Sequence, residues 1–537
     1  MDSPNFTKAL SEWVHVLGEE FVLTDAASLA RYASNAGGVK RSIPAVLRPA
    51  STDDIVKLVA IANRYKVPIH PVSLGRNWGL GSSVPVRDGT VVVELARMNA
   101  IREVNVKHHY AVVEPGVTQR QLYEHIRDNK LPLVMNVTGA AGATSLIGNA
   151  LERGVGYFAS RAEALTGLEV VLGNGTILKT GFGHFEDAQA RYIYKFGIGP
   201  FLDGLFSQSN FGIVTSAAVD LMPKRDAHIA VIAKISDPEK LAAFVDAIAE
   251  LRRRDVIQTV MHIGNHHRTQ IAMAPLVYRC LKDQGGMNDA ELKVQAGKLL
   301  EKEGFGPWSA VGGILGTRGQ LAVARREIRK ALRGLAKTMF MTDALVNTAK
   351  FAASKLSFIP WVRRKQALLL AVEPLYGLAK GIPTDAPMNS VWWPIGEVPR
   401  TDQENPDLGH CGLLFCVPFF PADGAVVAKA MDHAEKVFRK YNFVPFITLN
   451  MVDSKSIECV INMAFDRNHP SQVAAAHACN DELTGDFIKQ GLIPYRVGIQ
   501  SMDMVVKEND PYWQTVRDLK KVLDPNHIIS PGRYNLV

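Results

Sequence analysis

Residues 71–85 read PVSLGRNWGLGSSVP and lie between two apolar runs that are typical of β-strands. Glycines at 75, 79 and 81 allow positive backbone φ angles and a close approach of the main chain to a ligand. Consecutive N–H groups in such a turn can form a concave anion site. The spacing matches neither GxGxxG nor GxxxxGK[ST], and no amphipathic helix follows directly. The stretch therefore predicts a loop that binds a diphosphate, with a plain connecting turn as the alternative.

The residues before this loop predict a β-α-β unit. A strand near Ile43 is followed by a capping Ser51 or Thr52, then by apolar residues at helical spacing, and then by a second strand that ends at His70. Further strands are expected after the loop, and a helix is expected from Thr118 to about Asn129. A second stretch of small residues, VTGAAGATSLIGN, covers 137–149. The chain thus offers two small-residue loops in a strand-rich setting.

Several short motifs follow one another in a characteristic order: GRNxGxGS, VEPGV, SLIGNALERGVGY, LEVVLGNG, SQSNFGIVT and LDPNHIISPGR. Together with the β-α-β unit, this order resembles the FAD-linked oxidase family of vanillyl alcohol oxidase and p-cresol methylhydroxylase. The resemblance runs from about residue 20 to the C-terminus. It implies an enzyme that binds FAD, with both small-residue loops embracing the diphosphate.

The resemblance implies a set of FAD-binding positions in the two loops, in the strand after SQSN and near the C-terminus. They are Ser73, Leu74, Gly75, Arg76, Asn77, Trp78, Ser82, Thr138, Gly142, Ser145, Gly148, Asn149, Gly154, Val155, Gly156, Gly212, Ile213, Val214 and Arg533.

The expected fold class is α+β, in two domains. Residues 1–225 and 496–537 are expected to form a bipartite FAD-binding domain. From Ala227 the sequence pattern changes to predicted strands that alternate with charged helices. This pattern predicts an antiparallel sheet faced by helices over 226–495. The resemblance implies that this inserted unit is the cap over the substrate, with the flavin ring at the interface, where pockets commonly form.

Composition excludes several classes of protein. The 537 residues are 47% hydrophobic and 21% charged, which is enough for two substantial cores. The net charge of +8 is spread along the chain without a dense basic tract, so nucleic acid is not an expected partner. The five cysteines form no CxxC pair, and no metal is expected. No signal sequence or membrane span is apparent, so a cytoplasmic location is expected.

The family's usual substrate is a para-substituted phenol, whose phenolate is stabilised by a Tyr-Arg pair while hydride leaves the benzylic carbon for flavin N5. Tyr495 and Arg496 match that pair. Arginine suits the role because it stays cationic and presents several fixed donors. The alternative at this pair is a solvent-exposed arginine beside an ordinary tyrosine.

Three positions depart from the family pattern. Leu80 replaces the tyrosine of GRNxGYG, which removes one contact to a phenol oxygen. The segment around Glu458 lacks the family's histidine pair, so Glu458 becomes the acid-base candidate. The run of residues after SLIGNALERGVGY is shorter here than in the family, where it carries an acidic residue near the flavin. Glu163 is the candidate for that acidic residue. Further residues expected to line the substrate pocket are His262, Trp392, Trp393, Leu413 and Leu449.

Covalent attachment of FAD is not expected. The family's branches attach FAD through a cap histidine or tyrosine, but Leu413 and Val391 stand at the matching places. His410 and Cys411 lie close enough in sequence that a shift of alignment would restore a link. Elsewhere, the HxxxHH spacing of His262, His266 and His267 is more typical of polar lining than of a metal site.

Residues 342–380 form an apolar segment with Lys350, Lys355, Arg363, Arg364 and Lys365, interrupted at Pro360. Two alternatives stay open for this segment. A pair of basic amphipathic helices could contact a membrane surface, or it could pack on the cap or between subunits, which we favour.

The sequence thus predicts an FAD-dependent oxidoreductase that removes hydride from a para-substituted phenol or aromatic alcohol. One alternative is a dehydrogenase of a hydroxy acid or aliphatic alcohol, with Arg496 binding a carboxylate. Another is a flavin-binding or assembly protein without catalysis. The resemblance suggests a homodimer, and oxygen, a quinone or a cytochrome stays open as electron acceptor.

Overall fold

The computed structural model of the chain describes residues 4–303, 305–355, 360–397 and 405–536. The first part of the chain forms a small four-stranded sheet, in which β2 and β3 both run parallel to β4 and the order is β1-β2-β4-β3. Its elements are α1 (Pro4–Leu17), β1 (Val22–Leu23), α2 (Ala26–Ala30), β2 (Val46–Leu47), α3 (Thr52–Tyr65), β3 (Ile69–Val72) and β4 (Val91–Glu94).

The predicted β-α-β unit is β2-α3-β3. The Ser51 side chain caps α3 by accepting a hydrogen bond from the Asp54 N–H, and Ile55, Leu58 and Val59 turn inward from the helix. The loop 71–85 begins where β3 ends. No helix follows it directly, so the main chain of the loop itself is available to a ligand.

A second sheet, antiparallel throughout, has the order β5-β6-β10-β8-β9, with β7 paired to β10. Thr118 caps α4 with its side chain, so the predicted helix begins one residue later than expected. The elements are β5 (Ile101–Asn105), β6 (Tyr110–Val113), α4 (Gln119–Asp128), β7 (Leu133–Met135), α5 (Leu146–Leu151), β8 (Leu165–Leu172), β9 (Ile177–Lys179) and β10 (Gly212–Pro223).

The third sheet has eight strands in the order β14-β11-β13-β12-β17-β18-β15, with β16 on β18, and every pairing is antiparallel. Its strands are β11 (Ala227–Ile235), β12 (Met261–Asn265), β13 (Trp308–Gly316), β14 (Lys337–Met341), β15 (Cys411–Cys416), β16 (Phe419–Pro421), β17 (Phe446–Met451) and β18 (Ser456–Asp466). The helices between and after them are α6 (Leu241–Arg253), α7 (His266–Gln284), α8 (Asp289–Glu303), α9 (Arg318–Ala331), α10 (Asp343–Lys355), α11 (Pro360–Leu378), α12 (Asn389–Trp392), α13 (Gly424–Lys440), α14 (Pro470–Lys489), α15 (Met502–Val505) and α16 (Pro511–Leu523).

The two faces of the third sheet differ in character. Side chains alternate between the faces of a strand. Ile263, Leu449 and Cys459 are fully buried in one apolar core with α6, α9, α13 and α14. The next residues along the same strands, His262, Asn450 and Glu458, lie in register on the opposite face. We call this second face the chamber face.

The prediction that Leu449 lines the substrate pocket is wrong for this reason. Leu449 is fully buried among the apolar residues of the helix-covered core. Its neighbour Asn450 takes the place on the chamber face, because a step of one residue along a strand reverses the direction of the side chain.

The C-terminal segment returns to the first sheet. The Ile69 N–H donates to the Ile528 carbonyl at 2.7 Å, and the Ser530 N–H donates to the Ile69 carbonyl at 2.8 Å. The connection from the second to the third sheet lies between β10 and β11. With the return of the C-terminus, this topology supports our proposal of a domain formed by 1–225 and 496–537, with 226–495 inserted.

Within 342–380, the described residues of α11 pack into the protein. Ala367, Leu368 and Ala371 join an apolar cluster with α7 and α8, which favours the packing alternative. Phe351 of α10 remains exposed, and the side chains of Arg363 and Arg364 lie outside the described set. Of the helices that the structure describes, none combines the length and the apolar character needed to cross a membrane.

Candidate active site

A cavity lies where the first loop, the second loop, β10 and the C-terminal segment meet. Most of the predicted FAD-binding residues line it, although they are far apart in sequence. They are Ser73, Leu74, Gly75, Arg76, Asn77, Ser82, Ser145, Gly148, Asn149, Gly212, Ile213, Val214 and Arg533.

Two glycines show why small residues are required here. Gly75 has a φ of +63°, and a Cβ on it would lie 2.9 Å from the Ser83 Cβ. A Cβ on Gly148 would lie 2.6 Å from the Ser73 Oγ, so the two loops approach each other only because this side chain is missing. The buried Asn149 Oδ1 has no hydrogen-bond partner among the described groups. The serine, arginine and asparagine side chains among the lining residues offer polar groups to a ligand.

Six predicted cofactor residues do not line this cavity: Trp78, Thr138, Gly142, Gly154, Val155 and Gly156. The glycines among them have a packing role instead. A Cβ on Gly154 would lie 2.1 Å from the Asn149 Oδ1, and a Cβ on Gly156 would lie 2.1 Å from the Asn136 Oδ1. The Trp78 indole N–H donates to the Asn405 Oδ1 at 2.8 Å.

The cavity also contains polar residues that the sequence analysis missed, among them His70, Glu152 and Gln208. The His70 Nδ1 lies 2.8 Å from the Ser530 Oγ. Burial, with the nearby Arg533 charge, lowers the pKa of His70 to about 3, so the ring is neutral near pH 7. The sequence signal that could have pointed to His70 as a cavity residue is its position at the end of the strand that leads into the first loop.

Tyr495, Arg496 and Glu458 come together beside the first loop. The Arg496 Nη2 donates to the Asn77 Oδ1 at 2.6 Å, and its buried Nε has no partner among the described groups. Arg496 thus links Asn77, which lines the cavity, to the Glu458 end of the chamber face.

Glu458 is 5% exposed, and its Oε2 has no partner among the described groups. Burial raises the pKa of the Glu458 carboxyl to about 7, while the positive charge of Arg496 opposes the shift and the negative charge of Glu163 adds to it. A buried carboxyl group that titrates near neutral pH can give or accept a proton in catalysis.

Burial also raises the pKa of the Tyr495 phenol, and the nearby Glu458 charge adds to the shift. The tyrosine hydroxyl is therefore a neutral hydrogen-bond donor at any ordinary pH. Glu163 itself is exposed. It contributes its charge to the site rather than a buried carboxylate.

The remaining predicted substrate residues do not all lie together. Trp392 and Leu413 share a buried cluster with Trp78, and the buried Leu80 carbonyl accepts a hydrogen bond from the Ile499 N–H. Trp393 instead packs against Tyr278, with ring centroids 5.8 Å apart, in the cluster of α7, α8 and α11. His262 lies on the chamber face, while His266 and His267 belong to the start of α7. In the part of the chain that the structure describes, no three His, Cys, Asp or Glu residues are grouped as metal ligands.

Comparison with known proteins shows which flavoproteins the chain is similar to. Residues 43–181 match the family model described as an FAD binding domain. The chain is 32% identical over 539 residues to a 1'-carboxy-chondrochloren decarboxylase of Chondromyces crocatus, covering 100% of this chain and 98% of the relative. It is 28% identical over 541 residues to the 4-cresol dehydrogenase [hydroxylating] flavoprotein subunit of Pseudomonas putida, covering 98% and 95%. The solved structure of a 4-ethylphenol oxidase from Gulosibacter chungangensis, in complex with isoeugenol, superimposes with a TM-score of 0.84 at 26% identity, covering 100% and 98%.

The residues present fit FAD. The two loops bring small residues and polar side chains to one cavity, Ser73, Arg76 and Asn77 from the first loop and Ser145 and Asn149 from the second, and such residues suit the diphosphate of a dinucleotide. A flavin performs hydride chemistry that no amino-acid side chain can perform. The chain is therefore an FAD-dependent oxidoreductase that belongs to the FAD-linked oxidase family of vanillyl alcohol oxidase and p-cresol methylhydroxylase.

Proposed function

We propose that this enzyme oxidises a para-substituted phenol at the side-chain carbon bonded to the ring. The observation that carries the proposal is the cluster of Tyr495, Arg496 and Glu458 at the junction of the FAD cavity and the chamber face. Arg496 and Glu458 each keep a buried atom that has no partner among the described residues. A phenol oxygen needs such a combination: a fixed cation to stabilise the phenolate and a carboxylate to take its proton.

The flavin supplies an acceptor for a hydride. Arg496 would orient the phenolate and stabilise the negative charge on its oxygen while the C–H bond of the side-chain carbon attached to the ring breaks and the hydride leaves that carbon. Glu458 accepts the phenol proton in its ionised form, and Tyr495 donates a hydrogen bond to the same oxygen. Leu80 makes that end of the pocket less polar than in family members with a tyrosine there, so Arg496 carries more of the binding of the phenolate.

The names of the relatives support a phenol. The Pseudomonas putida protein is named for 4-cresol, and the Gulosibacter chungangensis protein is named for 4-ethylphenol. The Chondromyces crocatus relative is named as a decarboxylase of a carboxy compound, which places carboxylate-bearing phenols among the substrates worth testing. A hydroxy acid is the weaker alternative, because a relative named as a glycolate oxidase subunit, from Bacillus subtilis, matches 60% of this chain at 25% identity, whereas the relative named for 4-cresol matches 98%.

The function is tested by anaerobic reduction of the flavin. We expect 4-ethylphenol to bleach the visible flavin band of the holoenzyme, and D-lactate to leave it unchanged. Arg496→Met should slow bleaching about 100- to 1000-fold, the effect of removing one fixed stabilising donor from an active site. Photoreduction of the variant is the control that shows a competent flavin. Bleaching by D-lactate but by no phenol would make the proposal wrong.

We further propose that FAD is bound without a covalent link. His410, the nearest candidate for attachment, has its two ring nitrogens 2.9 Å from the Asp466 and Glu397 carboxylates. Burial raises the pKa of the Cys411 thiol to about 12, so it is not a thiolate near neutral pH. Neither residue lines the FAD cavity. Precipitation with acid should release all the flavin into the supernatant; a fluorescent protein band on a denaturing gel would contradict this.

The electron acceptor needs its own measurement, because the relatives are named differently. One is an oxidase, and another is the flavoprotein subunit of a dehydrogenase. Reoxidation of the substrate-reduced enzyme in air, and in nitrogen with an added cytochrome, distinguishes oxygen from a protein acceptor.

A further inference from the structure

A second arginine, Arg268, lies over the chamber face of the third sheet. It belongs to the first turn of α7, which begins directly after β12. Gly264 lies two residues after His262 on the same strand and therefore on the same face. The Arg268 Cδ is 2.7 Å from the point that a Cβ on Gly264 would occupy. The Arg268 side chain thus lies against this face of the sheet at the point where Gly264 leaves space for it.

The described part of the chain offers Arg268 no acidic partner. Among the residues that the structure describes, no carboxylate lies within ion-pair distance of its guanidinium, and no hydrogen bond from the guanidinium is present. Burial lowers the pKa of Arg268, and Tyr157 is the sole ionisable neighbour that raises it. Arginine nevertheless remains protonated. Arg268 is half-buried. Charges that are withdrawn from water in proteins are normally paired, so a lone guanidinium at the chamber face points to an anionic ligand.

His262, a neighbour of Arg268, also has a ring nitrogen without a hydrogen-bond partner among the described groups. The Tyr157 and His262 rings lie 4.4 Å apart. The His262 Nδ1 is 2.7 Å from the Asn450 Oδ1, while the Asn450 amide nitrogen donates to the Glu458 carbonyl. Since an amide oxygen only accepts, Nδ1 carries the proton and Nε2 is an acceptor. That Nε2 is buried and has no partner among the described groups.

The separation from Arg496 is set by the sheet. Glu458, Asn450 and His262 face one another on three adjacent strands. Two interstrand spacings separate Glu458 from His262 by roughly 10 Å. Arg496 acts on the Glu458 end of this row and Arg268 on the His262 end. A phenol ring with a short acid side chain is of that order of length.

We propose that Arg268, together with Tyr157 and His262, forms a subsite for a carboxylate at the far end of the substrate side chain. The proposal rests on the proposed function: Arg496 binds the phenolate, and Arg268 binds the acid. The substrate class is then a 4-hydroxyphenyl alkanoate rather than a neutral alkylphenol. His262 offers an acceptor to a hydroxyl group or water beside that carboxylate.

The test compares two ligands of equal length, 3-(4-hydroxyphenyl)propanoate and 4-propylphenol, on the holoenzyme. Wild type should bind and oxidise the acid about 10- to 100-fold better than the neutral phenol, as expected for hydrogen bonds between charged groups. Arg268→Met should lose this preference and keep its activity on 4-propylphenol. Arg268→Lys, which retains the charge, should keep part of the preference if the methionine variant does not fold. Arg326→Met on α9, where the arginine side chain is 75% exposed, is the matched control without effect.

Calorimetric titration with both ligands separates this inference from the proposed function. If neither ligand reduces the flavin, but wild type binds the acid more tightly and Arg268→Met does not, the phenol-oxidation proposal fails and the subsite stands. Equal affinity of wild type for both ligands would overturn the subsite. A preference for the acid that survives in Arg268→Met would overturn it as well, even if phenols are oxidised.

Discussion

At the scale of single residues, Glu458 shows how burial creates reactivity. Its carboxyl group lies on the chamber face, 5% exposed, with one oxygen unpartnered among the described groups. Desolvation disfavours the charged form, and Arg496 only partly offsets this effect, so the pKa of Glu458 rises to about 7. The same glutamate on the surface would already be ionised several pH units lower, and it could not switch between acid and base at neutral pH.

This residue predicts the pH dependence of the reaction. A raised pKa means that Glu458 is protonated below about pH 7 and ionised above it. Because the ionised form accepts the phenol proton, kcat/KM should rise through an apparent pKa near 7. Glu458→Gln should remove that limb and lower the plateau about 100-fold, within the usual range for acid-base groups. The matched control is Glu435→Gln on the exposed face of α13, which should leave the profile unchanged. An unaltered limb in Glu458→Gln would assign it to another group.

At the scale of elements, α5 packs closely against the first loop because Gly148 has no side chain. Gly148 lies in α5, where its N–H donates to the Ser145 Oγ. Its Cα faces Ser73 of the first loop. A small residue is therefore needed for packing between elements, rather than for an unusual backbone angle at this position.

Gly148→Ala should weaken FAD binding. The added Cβ would lie 2.6 Å from the Ser73 Oγ, and forcing the loops apart costs about 1–3 kcal/mol. We expect a lower ratio of flavin absorbance to protein absorbance after gel filtration. Gly297→Ala in α8, where a Cβ meets no atom within 4 Å, is the control and should retain the wild-type ratio. Full flavin content in Gly148→Ala would show that the loops can yield at no cost.

At the scale of the whole molecule, a buried ion pair ties the C-terminal segment to the cavity. The Lys520 Nζ and the Asp524 Oδ2 are 2.5 Å apart, and both side chains are fully buried. Lys520 also donates to the Asn210 and Ile529 carbonyls, and Asp524 accepts from the Ile528 and Ile529 N–H groups. These bonds position the segment that includes Ser530 and Arg533.

Lys520→Met should destabilise the protein by about 3–5 kcal/mol, because it leaves a buried carboxylate without its cation. Thermal unfolding monitored by circular dichroism, together with flavin release, measures the effect. Lys521→Met changes the neighbouring lysine of α16, which is 64% exposed and pairs with Asp518. Such a surface pair contributes about 0–1 kcal/mol, so this control should unfold near the wild-type temperature. Equal unfolding temperatures for the two variants would contradict the role assigned to Lys520.

The sequence by itself determined the local structure and the cofactor. Capping residues such as Ser51 and Thr118, apolar spacing and glycine-rich loops are local signals, and they predicted α3, α4 and both loops of the FAD cavity. The order of the motifs determined the family. The local features could be predicted from the sequence because they depend on residues that are close together in the chain.

Only the tertiary structure decided which polar residues face the substrate. Leu449 and Asn450 are neighbours in sequence, but strand alternation sends one into the core and the other to the chamber face. Arg268 reaches that face only because Gly264 lies beneath it. Lys520 and Asp524, at the end of α16 and directly after it, form a fully buried pair where the C-terminal segment docks. The direction and burial of a side chain depend on partners far away in sequence, and local sequence patterns do not predict those partners.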